Sequence, residues 1–461
     1  MSTTASFQAK LLGSSGLMLA AKLVGATAGY ALAWWVSRHE GAAAYGRFEL
    51  ALTVLTIGAL AARLGLDGVL VKWLAATTAQ GRMDLQRRLA VRALVVSVGV
   101  AWVVSGLLIA GLDARLTSWL GDPAMMGLWP AVAAHIPVMA FWGMAAEGLR
   151  GLSRMRSYAL LQPGIVMAGA VALLLLGDMN VMQAYVWSLA ASALLGAVLL
   201  ATALPRGPVG AGAARTGHGP TEGSVVGSVA GAGSGSGSAD AAYGWGAMFA
   251  TGWPMLLSSA MFLVMSWTDT LLVGHFLEED QVGIYRVAFR MAAVVTLVQA
   301  AVNSYAAPLF AERHASGDRA GLRAALRQTT LLNVAFSVPA FGVLVAVPAW
   351  WMGWFGEAFE AGATCLVWLA AGQVVNALCG PVMYLLNMTG HERPAQRIVW
   401  AAALVNVGLN LWAIPRFGIE GAAVSTALSM ALWNVAAAVA VKRLMGLSVW
   451  DALRISKHVA E

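Results

Sequence analysis

Long apolar stretches recur along this chain at nearly even intervals, each ended by a short polar break. They fall at about 12–36, 43–66, 89–111, 124–149, 158–177 and 181–204. They return at about 248–276, 283–310, 326–349, 361–388, 396–414 and 419–441. A helix rises about 1.5 Å per residue and bilayer hydrocarbon is roughly 30 Å thick, so each stretch is long enough to cross with some tilt. The pattern predicts an all-α polytopic membrane protein with about twelve transmembrane helices. The most informative stretch runs from Trp253 to Phe310, where two apolar spans flank a short acidic hinge and hold Asp269, Arg286 and Arg290 within them. Ionisable groups cost several kcal/mol in hydrocarbon unless they face a polar cavity, so they mark a functional path.

Composition agrees with the pattern. The chain is 59% hydrophobic and 11% charged, against roughly 25% charged in a soluble domain. Such a chain cannot cover a globular surface with polar groups, so its outer solvent is lipid. Lysine and arginine then set the orientation. On one side of the predicted spans lie 21 of them, from Lys10 through Lys72, Arg82, Arg150 and Arg313 to Lys457; the opposite loops hold four, Arg38, Arg47, Arg115 and Arg416. By the positive-inside rule both termini are cytoplasmic. The net charge of +7 therefore reads as topology, with no nucleic-acid partner. Cys365 and Cys379 are 14 residues apart on one predicted helix, which at about 1.5 Å per residue is beyond disulfide reach. The N-terminal apolar run reads as a retained first helix, with no small-residue cleavage site after it.

The chain divides into two halves that look alike. Ser14–Ser15 begins one span and Ser258–Ser259 its counterpart; Tyr45–Gly46–Arg47 and Gly283–Ile284–Tyr285–Arg286 open the spans that follow. Gly81–Arg82–Met83–Asp84 and Gly317–Asp318–Arg319 share a loop signature. The ends Leu149–Arg150–Gly151–Leu152–Ser153–Arg154 and Thr389–Gly390–His391–Glu392–Arg393 also correspond. Six helices per repeat is an even number, so the expectation is two six-helix lobes in a parallel pseudo-two-fold repeat with a cavity at their interface. The predicted boundaries are 1–204 for the first lobe, 205–245 for a Gly/Ser-rich cytoplasmic linker, 246–444 for the second lobe and 445–461 for a cytoplasmic tail. The linker's G-x-G strings lack the preceding strand that a nucleotide-binding turn requires.

Candidate chemistry is confined to polar residues inside the spans. Aligning the serine pairs puts Lys22 and Asp269 nearly one turn apart on the same face of related helices. Lys22 either snorkels to the interface or lines a path, and Asp269 either pairs with a nearby cation or couples to an ion. Arg38, Arg47, Arg286 and Arg290 cluster near the outer ends of the first helix pair of each half, with Arg286 and Arg290 at i, i+4. Arginine's fork of donors suits phosphate or carboxylate, while interfacial anchoring is the alternative. Arg63 and Asp67 predict an i, i+4 pair, and His135 a hydrogen-bonded rather than titrating histidine. Gln299, Asn303, Asn333, Gln373, Asn376, Asn406 and Asn410 predict interhelical hydrogen bonds or a sugar-binding wall. Trp350–Gly362 predicts an interfacial amphipathic turn. His275, Glu278, Glu279 and Asp280 read as a solvated hinge. No residue set points to catalysis, a cofactor or a metal.

The strings WTDTLLVGHF…VGIYRVAFR, SYAAPLFAERHASGDRAGLRAAL, WFGEAFEAG and GIEGAAVSTALSMALWN, with EGAAAYGRFELALTVLTIGALAARLGLDGVLVK in the first half, carry a resemblance. They resemble the polysaccharide-transport branch of the multidrug/oligosaccharidyl-lipid/polysaccharide (MOP) exporter superfamily. The resemblance implies a bacterial inner-membrane flippase of polyprenyl-pyrophosphate-linked oligosaccharides, such as O-antigen or exopolysaccharide units, working by alternating access around a cationic cavity. Its partners would be the lipid-linked substrate, the bilayer and other polysaccharide-assembly proteins. Substrate contacts would then fall to Lys22, Arg38, Arg47, Arg286, Arg290, Asn303, Gln373 and Asn376, with Asp269 as the ion-coupling or cavity-pairing group. A cation-coupled multidrug antiporter of the same superfamily is the alternative. A membrane glycan polymerase or ligase is disfavoured, because each outer loop is about a dozen residues or fewer and offers no catalytic platform.

Overall fold

The computed structural model describes residues 2–204 and 243–449. The expected linker and C-terminal tail fall largely outside them. Among the described residues the secondary structure is helical, with no strand. The first half runs α1 (Ser2–His39), α2 (Gly41–Arg63), α3 (Leu66–Ala79), α4 (Met83–Leu107), α5 (Asp113–Leu120) and α6 (Trp129–Gly151), then α7 (Met155–Ala159), α8 (Pro163–Leu176) and α9 (Val181–Ala203). The second half runs α10 (Trp245–Phe276), α11 (Glu279–Ala292), α12 (Leu297–Ala315), α13 (Arg319–Ala346), α14 (Pro348–Gly353), α15 (Ala363–Cys379), α16 (Val382–Met388) and α17 (Glu392–Met445). Every predicted span overlies helix, and eight of these helices or helix runs are long and apolar enough to cross a membrane.

The differences from the sequence expectation lie where helices break. The second span does not end near residue 66. The chain leaves the helix at Leu64 (φ 51°) and Gly65 (φ 72°), then resumes as α3. Val69, Leu70, Trp73 and Leu74 of α3 are buried with Leu85 and Leu89 of α4 and Met144 of α6, so Lys72 lies on a packed helix rather than in a loop. Gly65 is required twice over: its φ is left-handed, and a Cβ there would collide with the backbone of Gly252 and Leu256. Other spans are interrupted in the same way. α11 passes into α12 through a 3₁₀ turn at Ala293–Thr296, and α15 into α16 through Gly380 (φ 66°) and Pro381. The last two predicted helices are one helical run kinked at Gly418 (φ 60°). Trp350–Gly362 forms α14 and a following 3₁₀ turn, with Trp350, Trp351 and Trp354 ring to ring at 4.7–5.0 Å.

Four turns on the basic side share one geometry. After α3, Gly81 (φ 69°) lets the Arg82 N–H reach the Thr77 carbonyl at 2.9 Å. After α6, Ser153 (φ 58°) lets the Arg154 N–H reach Leu149 at 2.9 Å. After α12, Gly317 (φ 69°) does the same for Asp318 and Arg313 at 3.0 Å, and after α16, Gly390 (φ 78°) for His391 and Leu386 at 2.9 Å. This is the left-handed C-cap that satisfies the orphan carbonyls of a helix end. It falls at the loop signatures that correspond between the halves. Asp318 then caps α13, accepting the Gly321 N–H at 2.7 Å and Arg313 at 2.8 Å. Those two donors hold its carboxyl below the usual range.

By compactness the chain forms two units. Among the described residues the first comprises those up to 32, 51–119, 123–204 and 243–260; the second comprises 33–50, 120–122 and 261–449. Thus α1, α2 and α10 each contribute residues to both. In the first unit, α6 is packed by α3, α4 and α9, and Gly25 and Gly164 allow α1 and α8 to touch at their backbones. In the second, Phe310, Leu326, Val382, Leu386 and Val441 lie in a common buried core. Cys365 and Cys379 are free and buried on α15, as their spacing predicts.

Ser153 is the one of the four turn residues that carries a Cβ in the left-handed region. Replacement of Gly81, Gly317 or Gly390 by alanine is expected to cost about 1–2 kcal/mol, since each has open space around it and only strain to bear. Ser153→Gly is expected to raise stability. Thermal unfolding of the detergent-solubilised variants measures both, and an alanine series without loss would contradict the assignment.

A candidate ion and anion site in the second unit

Two helices of the second unit meet at glycine. Gly46 of α2 and Gly283 of α11 face each other so closely that a Cβ on either would run into opposing backbone, that of Glu279 or of Ala42. Small residues at a crossing let membrane helices approach to van der Waals contact of their main chains. Three residues beyond each glycine, nearly one turn on, come Glu49 and Arg286. The close crossing therefore sets these two side chains against each other.

Glu49 is fully buried. Its Oε2 accepts from Arg286 Nε and Nη2, both at 2.9 Å. Its Oε1 accepts from Arg290 Nη2 at 3.0 Å and from the Tyr45 hydroxyl at 2.6 Å. Two i, i+4 pairs thus interlock, Tyr45 with Glu49 on α2 and Arg286 with Arg290 on α11. The arginine side chains keep 11% and 19% exposure, so they are accessible while the carboxylate is not. The Arg286 guanidinium also lies 5.1 Å from the Trp267 ring and 5.5 Å from Phe289, a cation–π arrangement that holds its plane. One carboxylate against two guanidiniums leaves the cluster with a formal charge of +1. Arg47, on the same turn of α2, donates from Nε to Asp122 at 2.7 Å and has Nη2 4.0 Å from Glu279.

Asp269 forms a second centre of different character. It sits on α10 at 2% exposure and accepts from Tyr285 at 3.1 Å, and from Asn410 and Thr426 at 2.5 Å each. Asn410 donates also to Asn406 Oδ1 at 3.2 Å, and Asn406 to Ser429 at 3.0 Å. Of the two readings that the sequence allows for Asp269, pairing with a cationic side chain is not what the structure shows: its partners among the described residues are neutral. The Oδ1 of Asn410 is buried and has no hydrogen-bond partner among the described residues. Carboxylate, amide and hydroxyl oxygens gathered this way suit a proton or a small hard cation. No group of three or more His, Cys, Asp or Glu residues with metal-holding geometry occurs among the described residues.

The remaining candidates divide. Gln373 accepts from Thr296 at 3.2 Å, and Asn376 and Gln299 exchange amide bonds at 3.4 Å. Asn303, one turn from Gln299, buries an Oδ1 without a partner among the described residues. Arg38 is exposed at the end of α1. Lys22 is exposed and belongs to the first unit. In that first unit Arg63 pairs with Asp67 at 3.3 Å, as predicted, and His135 donates to the Ala131 carbonyl at 2.8 Å. Sequence reading missed Glu49, Tyr45, Asp122, Tyr285 and Thr426 as site members. A signal existed for Glu49: an acid inside an apolar span, four residues after a tyrosine, opposite two arginines at the same spacing.

Comparison with known proteins adds three findings. Residues 254–412 match the MatE family. Two curated proteins of Haloferax volcanii are similar. "Probable low-salt glycan biosynthesis flippase Agl15" is 30% identical over 174 residues, 37% of this chain and 36% of that protein. "Probable flippase AglR" is 28% identical over 189 residues, 40% of this chain and 39% of that protein. The chain thus aligns with little more than a third of the length of these relatives. Among solved structures, an inward-facing multidrug resistance MATE family transporter of the MOP superfamily superposes with a TM-score of 0.69 at 12% identity, covering 96% of this chain and 99% of that one. The lipid II flippase MurJ in an inward closed conformation superposes at 0.65 and 10% identity, covering 95% and 89%. At the level of fold the resemblance read from the sequence motifs is borne out: the chain shares the fold of these MOP superfamily transporters and has eight helices long and apolar enough to cross a membrane, and the relatives reported are flippases and transporters.

Gly46→Val is expected to part the α2–α11 crossing and to lower stability by about 1–3 kcal/mol. Glu49→Ala leaves two arginines facing each other, and by the usual cost of breaking a buried pair should lose about 3 kcal/mol. Denaturation of the solubilised variants measures both; wild-type stability in Glu49→Ala would sink the assignment of that carboxylate.

Proposed function

We propose that this chain, a multi-pass membrane protein of the MOP fold, flips polyprenyl-pyrophosphate-linked oligosaccharides such as O-antigen or exopolysaccharide repeat units across a bacterial inner membrane. The observation that carries the reading is the pair Arg286 and Arg290, held side by side, partly exposed, and with a net positive charge after Glu49 is counted. A pyrophosphate is a dense, multiply charged anion, and forked guanidiniums are the side chains best matched to it. The similarity to a probable low-salt glycan biosynthesis flippase, and to a second probable flippase, supports the substrate class.

In this reading two six-helix lobes rock about a central cavity, both termini and the 205–245 linker are cytoplasmic, and Lys22, Arg38 and Arg47 add to the attraction. The polar side chains Asn303, Gln373 and Asn376 meet sugar hydroxyls. Asp269 couples the cycle to an ion: a proton or small cation changes the charge of an oxygen cluster that joins α10, α11 and both arms of α17, and so biases one packing of those helices over another. Other polysaccharide-assembly proteins would supply the substrate and receive it.

Lys22→Ala or Arg290→Ala is expected to abolish glycan export while the protein still reaches the membrane fraction. Wild-type export from both would count against the assignment. Asp269→Asn keeps an acceptor for Tyr285 and Thr426 but removes the charge, so it should fold and lose its dependence on an ion gradient. Gradient-driven efflux of a cationic dye by the wild type, without glycan export, would favour the multidrug antiporter instead.

A further inference from the structure

At the basic end of the first unit, the last turn of α3, the first turn of α4, the turn after α6 and the last turn of α9 line an open cavity of about 470 Å³. Its polar walls are Thr78, Gln86, Arg154 and Thr202, and Met83 and Leu152 add apolar surface. Among the described residues that line it there is no carboxylate.

The hydrogen-bonding capacity of the walls defines what fits. Gln86 is buried and spends one amide N–H on Thr78 Oγ1 at 2.9 Å; its second remains to be given. Arg154 is exposed and pairs with no carboxylate among the described residues, so its guanidinium is a forked donor ready for an oxyanion. The two threonines are different. Thr78 donates its hydroxyl proton to the Leu74 carbonyl at 2.7 Å and Thr202 to Leu199 at 2.9 Å, which leaves both oxygens as acceptors. The cavity therefore offers donors to an anion and acceptors to hydroxyl groups beside it. Exposed Arg87 and Arg88 on the next turn of α4 strengthen the positive field. Aromatic groups mark the same end: Tyr243 meets Trp73 edge-on at 5.3 Å, and Arg92 lies 5.7 Å from the Trp245 ring. Such residues gather at the headgroup level of a bilayer.

We propose that this cavity binds the polyol-phosphate headgroup of an anionic phospholipid from the leaflet on the basic side. Arg154 and Gln86 donate to the phosphodiester, Thr78 and Thr202 accept from the glycerol hydroxyls, and Met83 and Leu152 meet the start of the acyl region. The site lies wholly within the first unit and does not depend on what the protein transports.

The test is native mass spectrometry of the full chain, delipidated in detergent and titrated with phosphatidylglycerol. Phosphatidylcholine serves as the zwitterionic comparison and sn-glycerol 3-phosphate as the soluble one. Phosphatidylglycerol is expected to bind at least about 10-fold more tightly than either. Arg154→Glu should weaken it at least about 5-fold, the scale expected for a juxtamembrane charge near an anionic lipid. Thr202→Val should narrow the preference over phosphatidylcholine, and Arg323→Glu, an exposed basic position in the second unit, should change nothing. Equal retention of phosphatidylglycerol by wild type and a folded Arg154→Glu would overturn the proposal. So would equal binding of the two lipids, and binding of glycerol phosphate as tight as that of the lipid would overturn the lipid as its source.

Discussion

A buried carboxylate cannot stand alone in a membrane protein. Taking Glu49 out of water costs several kcal/mol, and the structure offsets that with two guanidiniums and a tyrosine hydroxyl, all within 3.0 Å. The arrangement demands that α2 and α11 come within backbone contact, which only Gly46 and Gly283 permit. The same demand fixes where the arginines point and how much of their charge remains for anything else. Glycine spacing, helix crossing, ion-pair geometry and the character of the site are one constraint seen at four levels.

Asp269 shows the other way to bury a carboxylate. Its charge is met by hydroxyl and amide donors from α11 and from both arms of the kinked α17. Neutral donors stabilise an anion less than a guanidinium does, so the Asp269 carboxylate is held by partners of weaker kind than those of Glu49. Glu49 is held by charge, Asp269 by neutral donors. The two centres share a helix, α11, which supplies Tyr285 to one and Arg286 to the other in adjacent positions.

Much of the architecture was legible because lipid imposes simple rules. Apolar length placed the spans, and the loop signatures picked out four turns that share one left-handed cap. Breaks within spans were not legible in the same way: Leu64, a β-carbon residue in left-handed backbone, gives no warning in a composition window, and α3 was therefore read as loop. At the site, intramembrane charge pointed to Arg286, Arg290 and Asp269. It did not point to Glu49, because partner choice depends on which helices cross and at what height, and periodicity on a single helix carries no such information. Aligning the halves drew attention to Lys22 beside Asp269, which the structure assigns to different units.

Glu49 and Arg286 stabilise each other rather than each filling its own place. A double-mutant cycle of Glu49→Ala and Arg286→Ala, read by reversible denaturation in detergent, measures that directly. A coupling of about 1.5–3 kcal/mol is predicted, within the range seen for residues in contact through one ion-pair network. Additive losses within about 0.5 kcal/mol would mean that the two side chains act independently, and would contradict it.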